Sequence, residues 1–536
     1  MANAPSPKTK VFVRNNAHLL ALIGQEIDAH GASCDLNHLD VSKVRDLSAI
    51  FSYHANFIGD ISRWDVSGAQ TMKEMFRYSH FNGDVSQWNT ARVEDFEGMF
   101  MNSGFQGDIS NWNVARGRNF ARMFKHCQGV GDVSRWNMAR AETLEDMFCF
   151  SMFNGDVAAW NTSRVVNMDR VFFQAPFNGD VSRWNTANVQ SMAQLFAYSA
   201  FNGDVSAWNT SQVKNMYGMF QSSSFNGDIS RWNTSQVTTM GNMFAACPFN
   251  GDISGWNTAN VRSLSGTFWQ SAFNGDISRW DTRNLLDLSA TFERSAFNGD
   301  ISGWDTSNVD TMERTFFCSR FNGDISRWNV AKVVNMDGTF TYSDFQGDVS
   351  QWSVGKVVTM HEMFKGSPFM GDVSLWKPTS IGQHGLLSTI KSPSWDGAEG
   401  HLGTADRREY NKTLAAMVSQ ERERLSCQGM FADTAYDRAL DWRISLDVPV
   451  GDIFAGNTLA LAAQPMTDWT VGLYLRAGVE ALPADSHWAT AITSARQFRD
   501  SLGLGPVDAV QAAVGMHAVL SQKATPQEPG YGAALA

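Results

Sequence analysis

At 536 residues the chain is longer than one compact core requires. Its formal charge of −11 disfavours nucleic acid or an anionic membrane surface as the main partner, because both call for a basic face. Gly (44), Phe (36) and Trp (19) are abundant but fall in fixed columns, which excludes low complexity.

Residues 1–10 read as a flexible leader. In AHLLALIGQEIDAH, residues 17–30, apolar Leu19, Leu20, Ile23 and Ile27 fall at helical spacing and Gly31 is a stop signal. In LDVSKVRDLSAIF, Val44, Leu47 and Phe51 fit the second half of the repeat that follows, offset by 25 residues because FSYHANF holds one extra. Residues 1–56 are therefore expected to be leader, capping helix and first half coil.

From residue 57 a unit of 24 residues recurs, as in FNGDISRWNTSQVTTMGNMFAACP, residues 225–248. The Gly-Asp pair marks fourteen copies without insertion, from Gly59-Asp60 to Gly371-Asp372, each with Ile or Val after the Asp and Trp four residues after it. Such spacing predicts stacked coils. Asp-Ile-Ser after Asn-Gly predicts a short strand following a turn. Val237, Met240, Met243 and Phe244 predict one or two helical turns. Phe stands two residues before the Gly, the position ahead of the expected turn, in thirteen copies, Gly129 being the exception, and a second Phe closes every helical piece from Phe76 to Phe364. A small residue, usually Ser, follows three positions later and should let turns pack closely. Burying a Phe or Trp contributes about 2 to 3 kcal/mol, and only neighbouring coils can bury it.

The expected fold is thus an α/β solenoid over 57–377, with one long face a parallel sheet of short strands. Residues 378–404, rich in Gly, Ser and Pro, read as a linker. Residues 405–536 read as a small, mostly α-helical domain with a loose tail; Tyr410, Leu414, Met417, Val418 and Leu425 form an amphipathic face.

The unit FNGDISRWNTSQVTTMGNMF, together with the lead-in Cys34-Asp35-Leu36-Asn37-His38-Leu39-Asp40-Val41-Ser42, resembles the repeat of the BspA-like surface proteins, a bacterial surface lipoprotein repeat of the leucine-rich class. The resemblance implies a right-handed leucine-rich-repeat-like solenoid used for binding, commonly on a bacterial surface. The segment MANAPSPKTKVFVRNN lacks the apolar core of a signal peptide, and no lipid-attachment Cys or membrane span is legible. The expected location is the cell surface or the medium by a non-classical route, with the cytoplasm as the alternative.

Two polar columns stand out. The first is Asp60, Asp84, Asp108, Asp132, Asp156, Asp180, Asp204, Asp228, Asp252, Asp276, Asp300, Asp324, Asp348 and Asp372. These are expected to form a structural turn ladder, each accepting backbone N–H groups at its own turn, rather than a calcium ladder. An Asn column, from Asn82 and Asn154 to Asn322, is read in the same way. The second is the position before each Trp, where Arg63, Arg135, Arg183, Arg231, Arg279 and Arg327 occur, alternating with small residues from Arg135 to Arg327. Alternation spares neighbouring guanidinium groups from repulsion. The row is either an Arg-Asp lattice or, on the sheet face, a surface that recognises an acidic or carbohydrate partner.

Of the six cysteines, Cys34, Cys127, Cys149, Cys247, Cys318 and Cys427, the pair Cys127 and Cys247 shares a column but lies five coils apart. At about 4.8 Å per coil that is too far to bridge, so free thiols are expected. The sequons at Asn161, Asn209 and Asn233 are read as products of the repeat. His384, His401, Cys427, His487 and His517 show neither metal spacing nor a nucleophile motif. No cofactor, metal or catalytic residue is expected, and the partner is a protein or carbohydrate, with no nucleic acid and no membrane insertion. The reading is a non-catalytic adhesion or recognition protein. The alternatives are an injected or cytosolic effector acting through its C-terminal domain, and a structural component of a phage or surface particle.

Overall fold

A computed structural model of the chain describes residues 9–381. The expected linker beyond residue 381 and the helical domain at 405–536 lie outside the described residues, as does Cys427. By packing, the chain divides into Met1–Trp256 and Asn257–Ala536.

The first unit begins with strand β1 (Val11–Phe12), helix α1 (Asn16–His30) and strand β2 (Leu39–Asp40), and β1 pairs with β2 in parallel. Asn15 caps α1 by accepting the His18 N–H, and Gly31 ends it at φ +81° with its own N–H on the Ile27 carbonyl. Leu19 and Ile23 are buried. In the segment that follows, Val44, Leu47 and Phe51 are buried, and the Phe51 ring stacks on Phe76 at 5.2 Å.

From there, within each unit, each copy lies beside the next in parallel. Single-residue bridges link Asp46 to Thr71 across the 25-residue offset, then Thr71 to Asp95 and so on in steps of 24 to Thr239. The second unit repeats the pattern from Ser263↔Asp287 to Asn335↔Thr359. The strand expected at Asp-Ile-Ser is not formed. Apart from a bridge between Asp35 and Asp60, lateral pairing falls instead eleven residues after the Asp, because Ser206-Ala207 and its equivalents are occupied by a tight turn that returns the Trp208 N–H to the Val205 carbonyl.

The expected helical piece is also replaced. Over residues 216–223, Met219 N–H bonds the Met216 carbonyl and Ser223 N–H bonds the Phe220 carbonyl, so two tight turns run in tandem. Their third residues, Gly218 and Ser222, have φ of +57° and +52°, as turns of this kind require. The intervening N–H groups point sideways: Met216, Gly218, Phe220 and Ser222 donate to the carbonyls of Thr239, Gly241, Met243 and Ala245 on the next coil at 2.7 to 3.2 Å. A helix would direct those groups along its own axis. The tandem turns instead satisfy them between coils, which meets the requirement for buried backbone.

The interior is built of ring columns. Trp184, Trp208 and Trp232 stack at 6.4 Å, and the Trp208 Nε1–H donates to the Val181 carbonyl at 3.0 Å. Phe196 and Phe220 stack at 6.0 Å, and Phe201 packs on Phe196 at 3.6 Å. In the second unit Trp304 and Trp328 stack at 6.3 Å, and the Trp328 Nε1–H reaches the Ile301 carbonyl at 3.1 Å. The small Ser column does more than save space: Ser199 Oγ donates to the Phe196 carbonyl and accepts the Phe201 N–H, joining the two Phe positions.

The recurring spacing of Gly has a packing cause. No helix or turn bond forms at Asn202-Gly203, and a Cβ on Gly203 would meet the Phe201 ring at 2.8 Å and the Gly179 carbonyl at 3.4 Å. Among the described residues, no helix is long and apolar enough to cross a membrane.

Candidate functional site

The Asp column lies at the first corner of each coil. In all fourteen copies Oδ1 accepts the backbone N–H two residues on, at 2.8 to 2.9 Å. This is the side-chain turn that Asp forms readily. For Asp204 the Ser206 backbone bond, then the Ser206 hydroxyl, hold the carboxyl below its usual range, against the opposing charges of Asp180 and Asp228. Asn209 repeats the device at the second corner and Asn215 before the tandem turns, so three side chains set three bends. Asn161 and Asn233 of the sequons serve the same corner turn. The Asn column spans coils: Asn178 Oδ1 accepts the Asn202 N–H at 2.9 Å, and Asn202 accepts from Asn226.

The six Arg sit in the first-corner turn, all exposed, and not on a sheet face. Arg63 approaches Asp35 of the preceding coil at 3.7 Å, with both side chains largely in solvent. Such a pair contributes about 0 to 1 kcal/mol. Arg135, Arg183, Arg231, Arg279 and Arg327 make no ion pair among the described residues. They act weakly on the Asp of their own coil, as Arg183 does on Asp180 after the two Ser182 bonds. A coil-to-coil Arg-Asp lattice is therefore present only at Arg63. With fourteen Asp and six Arg in these columns, the corner carries net negative charge.

The tandem turns carry a second set of polar groups that column reading passed over. In the first unit, Glu97 pairs with Lys73 at 2.8 Å and also with Arg122. Asp146, 3% exposed, accepts two bonds from Arg170 at 2.8 and 3.1 Å, and Lys125 stands at 3.3 Å. Burial pushes the Asp146 carboxyl up, but Arg170 and Lys125 outweigh it and leave the group below its usual range. Beside this cluster His126 stacks on Phe150 at 4.4 Å, and Phe173 meets Phe150 and Tyr198 edge-on. Burial, then the Lys125 charge, hold the His126 imidazole below its ordinary value.

In the second unit, Arg314 makes two bonds to Glu293 at 2.9 and 2.7 Å and lies 4.0 Å over the Phe317 ring. A cavity of about 130 Å³ opens beside it, lined by Glu313, Arg314, Phe317, Asp337, Gly338, Thr341, His361 and Glu362. The sequence signal for this face was variability: the positions of Glu74, Gly98, Arg122, Asp146 and Arg170, one per coil, do not repeat in chemistry.

Cys34, Cys127, Cys149 and Cys247 are buried free thiols and Cys318 is half-buried. Burial raises Cys127 and Cys247 to about 11. Among the described residues, no group of three or more His, Cys, Asp or Glu is placed to hold a metal ion.

No curated protein and no solved structure matches the chain. Four overlapping stretches, residues 25–132, 118–224, 198–296 and 286–387, match the family described as Mycoplasma protein of unknown function, DUF285. Those stretches span more than half of the sequence and coincide with the tandem coils, and the chain belongs to this DUF285 repeat family.

Proposed function

We propose that the protein is a non-catalytic binding protein, a right-handed leucine-rich-repeat-like solenoid of the BspA-like kind that recognises a protein or carbohydrate partner at the cell surface or outside the cell. The observation that carries the reading is the exposed Arg row from Arg135 to Arg327, which makes no ion pair among the described residues. Arg183 and Arg231, two coils apart, project from turns whose backbone is bonded both within the coil and to its neighbours. A charged group held on rigid backbone without an internal partner suits recognition better than folding. A binding role also accords with polar columns that repeat evenly, since catalysis needs a unique constellation. The proposed location rests on the resemblance of the repeat alone.

The test has two parts. Protease treatment of intact cells that make the protein, with fractionation of cells and medium, should digest it from outside or recover it in the medium; full protection inside the cell would overturn the surface reading. The Arg183→Ala, Arg231→Ala, Arg279→Ala variant should then lose binding on arrays of glycans and surface proteins, with its melting temperature unchanged. Retained binding, or collapse of the melting temperature, would remove the Arg row as a recognition surface.

A further inference from the structure

We propose that the cavity at Gly338 is a pocket for a lysine side chain presented by a protein partner, a site distinct from the first-corner Arg row. Its origin lies in one missing side chain. The third residue of the first tandem turn is Arg314 on one coil, Gly338 on the next and Glu362 on the one after. Arg314 and Glu362 reach out from the two flanking coils, and the gap over Gly338 leaves about 130 Å³ between them.

The walls suit an aliphatic stem carrying a positive tip. Phe317 supplies an apolar wall, held in place by Arg314 over its face at 4.0 Å and by Tyr342 against it edge-on at 6.4 Å. The lining holds three carboxylates, Glu313, Asp337 and Glu362, against one guanidinium. The guanidinium of Arg314 is already committed to Glu293 by two hydrogen bonds. The carboxylates are preorganised. Glu313 accepts from Asn335 Nδ2 at 3.1 Å, and Asp337 accepts the Thr359 hydroxyl and the His361 N–H, the latter at 2.7 Å. Glu362 is ion-paired with Lys365 at 2.7 Å, which offsets part of its charge. A lysine side chain, an apolar stem with a compact charge, matches both halves of this lining.

Gly338 also provides the means to close the pocket without breaking the fold. Its φ is +58°, but Gln174 and Gln194 adopt +53° at tandem-turn positions, the latter in the same column. A Cβ at Gly338 would meet nothing closer than Arg314 Cγ and Thr341 Oγ1 at 3.4 Å.

The experiment is calorimetric titration of the full chain with Nα-acetyl-lysine methylamide and with the uncharged Nα-acetyl-norleucine methylamide. The lysine probe should bind saturably, about tenfold or more tighter than the norleucine probe, corresponding to about 1.4 kcal/mol, and should weaken as salt rises. Gly338→Gln should abolish binding, while Gly266→Gln, at the same turn position with φ +60°, should leave it intact. Equal binding of the two probes, no saturation, or wild-type affinity in Gly338→Gln would overturn the proposal. Should Gly338→Gln unfold, Glu313→Gln decides: it can still accept from Asn335, and unchanged lysine affinity in that variant would overturn the pocket.

Discussion

Where Phe stands two residues before it, the Gly of a Gly-Asp pair is held by a ring, not by a left-handed backbone; Gly131, preceded by Gly129, meets the Gly107 carbonyl and Ile109 instead. At Gly203 the side-chain position is filled by Phe201, and the same overlap recurs at Gly179, Gly227 and Gly251. Gly203→Ala must displace a fully buried Phe or shift a coil. It is expected to cost about 1 to 3 kcal/mol, read as a lower urea midpoint with an unchanged slope. The opposite case occurs in the tandem turns. Ala246, at φ +50°, carries a Cβ where Gly is favoured. Neighbouring coils hold it there by lateral bonds, such as that from the Ser222 N–H to the Ala245 carbonyl at 2.7 Å.

Within a coil, bends are set by short side chains and closed by backbone turns, while every second N–H of the tandem turns serves the neighbour. This division explains why no coil is self-sufficient. It also makes the Asp146 cluster sensitive. Asp146 is nearly inaccessible and its charge is balanced by Arg170 and Lys125. Arg170→Leu would strand that charge, and about 3 to 5 kcal/mol of destabilisation is expected. Adding Asp146→Asn to Arg170→Leu should recover part of the loss in a double-mutant cycle, because the neutral amide leaves no unpaired charge. Strict additivity of the two losses would show that the pair is not coupled.

At the scale of the whole molecule, the Asp column makes the fold acid-sensitive. For exposed Asp84, Asp108, Asp180, Asp204 and Asp228, the Ser N–H bonds two residues on lower the folded pKa. A depressed carboxyl pKa gives stability that is present above the unfolded value, about 3.9, and lost as pH falls through the folded value. The melting temperature should therefore be level near neutrality and fall below about pH 4. A melting temperature that rises on acidification through that range would show that repulsion along the column outweighs the turn bonds.

Much of this was legible in the chain itself. The 24-residue period, the Phe and Trp columns, the helix over residues 17–30 with its Gly31 end, and the extra residue in FSYHANF all follow from spacing, because burial repeats with the backbone. Spacing could not decide between a helix and tandem turns at Met216–Ser223. Apolar residues three and four apart suit both, and the choice lies in hydrogen bonds to residues 23 positions away. The same limit hid the Phe ring behind Gly203, the absence of an ion pair at Arg183, and the gap at Gly338. Each depends on what the neighbouring coil places alongside, a contact that exists only once the coils are stacked.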